Sequence, residues 1–272
     1  MNAEEVVVYD HPLSPYAQKV KIALNEKSVP YRTEQPAALG SGATDGAFAK
    51  GSPRGEVPLL VHEDLAVFDS TIILEYIEDC WPTPPLLPSH PQDRARVRMI
   101  EEAMDTHMEA INWGLSEVQH FGRLEGSEAE RVLEQGRQQL SAWFEWLASQ
   151  LGDQPWFNGP SFGWGDLSVL PFVNGAMGFG AEPEDESLRS WLARANERST
   201  VRPVVEAAAA VAFGSSAVSL DLVRAALEQG TFKREYRDHR LEWMVKTAGL
   251  SVVADGLQRD NVRFNDPFPV RR

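Results

Sequence analysis

The sequence predicts a small α/β domain followed by an all-helical domain, and three observations predict it. The first 80 residues follow the order βαβ, loop, ββα. A segment with five prolines, residues 81–91, then breaks the pattern. Beyond it, apolar residues recur at helical spacing almost to the end of the chain.

Glu4 to Tyr9 reads as a buried strand, with Val6, Val7 and Val8 in a row. Asp10 to Leu13 is a short loop. Ser14-Pro15 then opens a helix, with Ser at the N-cap and Pro at the first helical position. Ala17, Val20, Ala23 and Leu24 give that helix one apolar face. Val29 to Gln35 suits a second strand. Pro36 to Gly55, rich in Gly, Ala, Ser and Pro, holds a short helix. Val57 to Val61 and Leu65 to Phe68 are strands joined by His62-Glu63-Asp64, a loop length that makes an antiparallel hairpin. A helix starts at Asp69-Ser70 and runs to about Asp79.

The second half is predicted as helices over Arg94 to Phe121, Glu128 to Leu151, Asp166 to Gly178, Ser187 to Arg198 and Val201 to Phe213, with one or two more in Ser219 to Arg272. The chain thus divides into 1–80, a linker 81–91, a helical domain 92–215 and a helical extension 216–272.

The 272 residues carry a formal net charge of -14. So acidic a surface repels phosphate backbones and anionic lipid, which argues against nucleic acid and membranes as partners. It also gives an anionic ligand no global attraction, so any pull must come from helix ends and a few cations. The acidic N-terminus MNAEEVVVYD lacks the basic start and apolar region of a secretory signal. The single cysteine, Cys80, forms no internal disulfide, and a cytoplasmic location is expected. The six histidines are scattered without metal-ligand spacing, so no metal site is expected.

Three segments carry a family resemblance. YDHPLSPYAQKVKIAL, Tyr9 to Leu24, resembles the first strand, catalytic loop and first helix of serine-type cytosolic glutathione transferases. SPRGEVPLLV, Ser52 to Val61, is similar to that family's turn ahead of a cis proline. FDSTIILEYIED, Phe68 to Asp79, resembles its acid-Ser helix start. The three occur in the family's order and spacing. The resemblance implies an α/β thioredoxin-like N-terminal domain plus an all-α C-terminal domain, with glutathione as co-substrate. It also implies a small hydrophobic electrophile between the domains, a bacterial-type enzyme and a homodimer.

The chemistry asks for these residue types. A thiol is a poor nucleophile while protonated, and a positioned hydroxyl at the positive end of a helix stabilises the thiolate. The resemblance gives that role to Ser14, which would donate a hydrogen bond to it. Val57-Pro58 is implied as cis, with the Val57 backbone pairing with the cysteinyl part of glutathione. Asp69 and Ser70 would hold the γ-glutamyl end, Asp69 on its ammonium and Ser70 on its carboxylate. Lys50 and Arg54 are the nearby cations for the glycine end. Two departures stand out: Ser52 replaces the usual Asn of the turn, and Glu56 stands where Gln or Lys often helps bind the glycine end. Tyr9 is a second candidate hydroxyl, but it lies in the strand and is expected to pack. An alternative function is a non-catalytic member of the same fold used as an interaction protein.

Gly159-Pro160-Ser161-Phe162-Gly163 matches the G-x-S-x-G elbow of hydrolases, but a helix precedes it where the elbow needs a strand. Gly163 is instead expected to cap a buried helix, with Asp166 reaching back to the helix start. In the extension, Leu241, Met244 and Val245 form one apolar face and Leu250, Val252 and Val253 another. Such a segment packs rather than floats. Two destinations are open: the outside of the helical domain, or a cover over the electrophile pocket. The cover would be lined by Trp243 or Met244 and would bring in Arg237 and Arg240.

Overall fold

The computed structural model describes residues 5–36, 46–213, 220–236 and 238–264. Its first part is a four-stranded mixed sheet ordered β2-β1-β3-β4. Strand β1 (Val6–Tyr9) is central, parallel to β2 (Tyr31–Glu34) and antiparallel to β3 (Leu59–His62), which pairs in turn with β4 (Leu65–Phe68). The all-valine run Val6 to Val8 fits this place, since a central strand is covered on both faces. Helix α1 (Pro15–Glu26) and helix α3 (Ser70–Cys80) pack against each other, and short α2 (Gly46–Gly51) lies against β3 and β4. Strand β3 starts two residues later than the sequence suggested, because Val57 and Pro58 belong to the turn ahead of the ladder.

Helix α4 (Pro91–Ala103) begins at the last proline of the linker, at a first-turn position where proline's missing N–H costs nothing. A π-helical turn, Met104–Met108, continues it into α5 (Glu109–Gln119). Then come α6 (Gly126–Leu151), α7 (Trp164–Met177), α8 (Glu186–Asn196) and α9 (Arg202–Phe213). Helix α7 is buried on nearly every side, and α1, α4 and α5 pack round it. Its start is built as expected. Gly163 is the N-cap, and the Asp166 carboxylate accepts from the backbone N–H of Gly163 (3.0 Å), Phe157 (2.8 Å) and Asn158 (3.3 Å) and from Trp191 Nε1 (2.8 Å). Ser161 sits in the exposed loop before it, with no strand of a sheet leading in.

The extension forms α10 (Leu220–Glu228), β5 (Arg234–Glu235), α11 (Asp238–Trp243), a second π turn (Met244–Ala248), α12 (Leu250–Gln258) and β6 (Val262–Arg263). Strands β5 and β6 pair in parallel, a two-stranded element that the helical pattern did not announce. Met244, Val252 and Val253 are buried, but Val245 and Leu250 face solvent. The two expected apolar faces are therefore split: the π turn carries more residues per turn and rotates the residues beyond it. Among the described residues, no helix is long and apolar enough to cross a membrane.

Candidate active site

The sheet register brings the three motif segments to one edge. Tyr9 stands opposite Leu59, and Leu59 opposite Phe68. The chain therefore leaves β1 toward Ser14, enters β3 from Val57-Pro58 and leaves β4 toward Asp69-Ser70 at the same end of the sheet.

Ser14 is the N-cap of α1, with extended backbone (φ -74°, ψ 115°). Its Oγ accepts from Ala17 N at 3.3 Å, and its own N–H is held by the carbonyl of His11 at 2.8 Å. Gln18 Nε2 donates to the Pro12 carbonyl at 2.8 Å and fixes the loop. The first turn of α1 has no acidic residue, so no carboxylate of the helix offsets its positive end. The half-buried hydroxyl keeps its proton available for an anion in front of it.

Tyr9 packs as expected, its ring 5.7 Å from Phe48. Burial, and then its hydrogen bond to Glu34, raise its pKa. A phenol held that way is a poor thiolate partner.

Val57-Pro58 is a cis peptide. Ser52 Oγ accepts from Glu56 N (3.2 Å) and donates to the Glu56 carbonyl (2.9 Å), clamping the turn that delivers it. The buried serine thus closes this turn. Asp69 adopts φ 75°, a left-handed conformation that Asp tolerates better than most residues. Its Oδ1 caps α3 through Thr71 N (3.1 Å), and its Oδ2 meets Arg54 at 3.5 Å. Ser70 is buried at the first position of α3, and Lys50 is exposed in the last turn of α2. Arg54 is thus engaged by Asp69. Arg237 lies outside the described residues.

A buried ionic cluster that the sequence did not disclose supports this edge. Lys19 of α1, with no exposed surface, reaches Glu101 (2.8 Å) and Asp105 (2.7 Å). Glu101 also accepts from Thr71 Oγ1 (3.0 Å) and Trp164 Nε1 (2.5 Å). Tyr16 donates to the Asp105 carbonyl at 2.7 Å. One cation thus ties α1, α3, α4 and α7 together. Burial pushes the Asp105 carboxyl up to about 7, against the pull of Lys19 and with a push from Glu101 and Asp69.

The same face of the long helix continues into the extension. Glu109 holds Arg240 (2.6 Å), Trp113 packs edge-on to Tyr236 (4.7 Å), and Glu117 takes Arg123, Arg234 and the Tyr236 hydroxyl (3.0 Å for the last). Residues 101, 105, 109, 113 and 117 would drift about 40° per step on a regular α-helix. The π turn absorbs one residue and cancels most of that drift. Trp243 donates to Gln139 (2.6 Å) and lies against Gly114, where an added Cβ would sit 2.1 Å from its ring. Trp243 and Met244 are therefore buried packing residues against the helical domain.

Two hollows lie apart from this edge. One of about 510 Å³ is lined by Asn25, Tyr31, Thr200 and Pro203, and one of about 450 Å³ by Gln135, Gln139 and Lys246.

Comparison with known proteins places these features in a family. Residues 13–80 match the family model described as glutathione S-transferase, N-terminal domain, and residues 130–194 the one described as glutathione S-transferase, C-terminal domain. The chain is 29% identical over 205 residues to glutathione S-transferase U28 of Arabidopsis thaliana, covering 72% of this chain and 87% of that one. It is 33% identical over 167 residues to glutathione S-transferase U17 of the same plant, covering 59% and 68%. Among solved structures it is similar to a glutathione S-transferase from Rhodospirillum rubrum F11, with a TM-score of 0.64 and 25% identity over 73% of this chain and 91% of that one. Residues beyond 194 lie outside both family models.

Proposed function

Because the chain belongs to the glutathione S-transferase family, we propose that Ser14 carries its chemistry by donating a hydrogen bond to the thiolate of glutathione. The protein is a glutathione transferase, and glutathione is its co-substrate. The observation that carries the assignment is the register Tyr9–Leu59–Phe68, which gathers the three motif segments round the acid-free N-terminus of α1.

In this mechanism the cysteinyl backbone of glutathione pairs with Val57 ahead of β3. The γ-glutamyl carboxylate meets Ser70 and the start of α3. The ammonium meets the Asp69 carboxylate, releasing Arg54 toward the glycine carboxylate together with Lys50. The thiol gives up its proton to solvent. Its sulfur, held by Ser14 Oγ–H and the helix end, then attacks the electrophilic carbon as the leaving group departs with the bonding pair. The electrophile is a small apolar molecule in the cleft between sheet and helices. Conjugation, loss of a halide and ether cleavage all fit these groups.

The remaining assignments rest on the family resemblance. We divide the chain at 1–80, 81–91, 92–215 and 216–272, and assign a cytoplasmic location, a serine-type active site and a bacterial-type enzyme. We also assign a homodimer. Exposed Leu65, Phe68, Ile72 and Met99, on β4, α3 and α4, support an apolar contact between copies. Light scattering should return twice the chain mass, and a monomer mass at micromolar concentration contradicts the assignment. The non-catalytic alternative is not favoured, since the relatives are named transferases.

Retention on immobilised glutathione, with release by free glutathione, tests the binding half. Turnover of an aryl halide by Ser14→Ala tests the chemical half: the variant should fold and bind but lose most activity. Unchanged turnover would remove Ser14 from the mechanism.

A further inference from the structure

The larger hollow lies behind the catalytic helix, where the sheet domain meets the helical one. Its walls come from the C-terminal half of α1, the turn that follows, strand β2, and residues 199–207 around the start of α9. Its volume of about 510 Å³ suits a small organic molecule, and such sites favour domain junctions. The junction is fixed by the protein itself. Asn25 Nδ2 donates to the Thr200 carbonyl at 2.8 Å, and Arg198 holds Glu26 at 2.8 Å. The two walls therefore keep their spacing, and the hollow is preformed.

The lining restricts the ligand through its lack of free charge. Among its described residues only Lys21 is charged, and that ammonium is bound to the buried Asp10 carboxylate. Tyr31 stays a neutral phenol, because burial, and then the Asp10 charge, push it up to about 12. An anionic ligand would find its counter-charge already taken, and a cationic one would meet no carboxylate in the lining.

The neutral groups divide in two. Val29 and Val204 are buried, and with Pro30, Pro203 and Ala207 they give an apolar surface. Ser28, Thr33 and Ser199 place hydroxyls at the exposed rim, where each can give and accept a hydrogen bond. Ser28 stands at φ 55°, just past the end of α1, where glycine is the usual residue. The serine keeps strain that a glycine would relieve, and what it adds there is a hydroxyl on the rim.

We propose that this hollow is a second ligand site, for a neutral, flat phenol. The ring lies on the prolines and valines, and its hydroxyl or carbonyl edge bonds the serine and threonine rim. Asn25 lies about 16 Å beyond Ser14 along α1. The site is therefore separate from the one that holds glutathione, and both can be filled together. It stands independently of the Ser14 chemistry.

The test uses the full chain with S-hexylglutathione in excess, which occupies the glutathione site and the electrophile position beside it. The probe is 4-methylumbelliferone, a bicyclic phenol that is neutral in mild acid. Its anionic counterpart is 4-methylumbelliferyl sulfate. Calorimetry follows binding to the wild type, Ala207→Trp and Ser28→Gly. Ala207→Trp puts an indole into the hollow from an exposed helix position. Ser28→Gly removes a rim hydroxyl and suits the left-handed backbone. The phenol should bind the wild type, and the sulfate should bind about tenfold more weakly or less. Ala207→Trp should weaken the phenol by about tenfold or more, and Ser28→Gly several-fold. Both variants should keep wild-type transferase turnover, which shows them folded. No heat from the phenol up to its solubility overturns the proposal. So does equal affinity for the sulfate, or unchanged affinity in Ala207→Trp. Ser14→Ala should bind the probe as the wild type does, whatever becomes of its turnover.

Discussion

Lys19 and Glu101 meet at 2.8 Å with almost no surface of either side chain exposed, and this pair joins the sheet domain to the helical one. Its position explains why the loop carrying Ser14 is fixed. Lys19 lies one turn beyond Ser14 on α1, and its two acids lie on the helix that crosses behind α3.

Removing the cation should therefore be severe. Lys19→Met leaves Glu101 and Asp105 buried without a counter-charge. Breaking one side of such a pair costs about 3–5 kcal/mol. Urea denaturation should show that loss. A loss under about 1 kcal/mol would mean that the cluster relaxes into water.

The wild type should grow less stable as pH rises through neutrality. Burial pushes Asp166 up to about 6, against hydrogen bonds from Trp191 and the Phe157, Gly163 and Asn158 backbones, and burial pushes Asp105 up to about 7. Both folded values exceed the ordinary one of about 3.9. Their favourable share is complete below that value and is lost as pH rises through about 6 to 7. Melting at a series of pH values checks the sign. Asp166→Asn should flatten part of the slope. Asp166→Ala should cost about 3 kcal/mol or more at any pH, because it strands buried N–H groups at the start of α7.

Gly114→Ala should loosen the extension and spare the sheet domain. An added Cβ would lie 2.1 Å from the Trp243 ring, and the ring cannot move without giving up Gln139. Overpacking of this kind costs about 1–3 kcal/mol. Limited proteolysis should cut near residues 230–250 faster than in the wild type. Unchanged cleavage would show that the ring has room to shift.

Local chemistry was legible in the sequence, and long-range pairing was not. Ser14, Asp69 and Gly163 were identifiable as helix caps from residue type and the apolar pattern after each, and all three cap helices. The Val57-Pro58 turn and the β3–β4 hairpin were likewise written in a few consecutive residues. Lys19 looked like an ordinary helix lysine, because its partners lie more than 80 residues away. The β5–β6 pair is too short to show a period, and the π turn at Met104–Met108 has no sequence signature that a helical pattern would betray.

The central claim is that Ser14, and not Tyr9, stabilises the thiolate. The direct measurement is the ultraviolet absorbance of the thiolate of bound glutathione, titrated with pH in the wild type, Ser14→Ala and Tyr9→Phe. The account predicts that the wild type and Tyr9→Phe ionise bound glutathione well below the free thiol's range of about 8.5, and that Ser14→Ala moves it back up toward that range. A Ser14→Ala protein that ionises bound glutathione at the wild-type pH would contradict it.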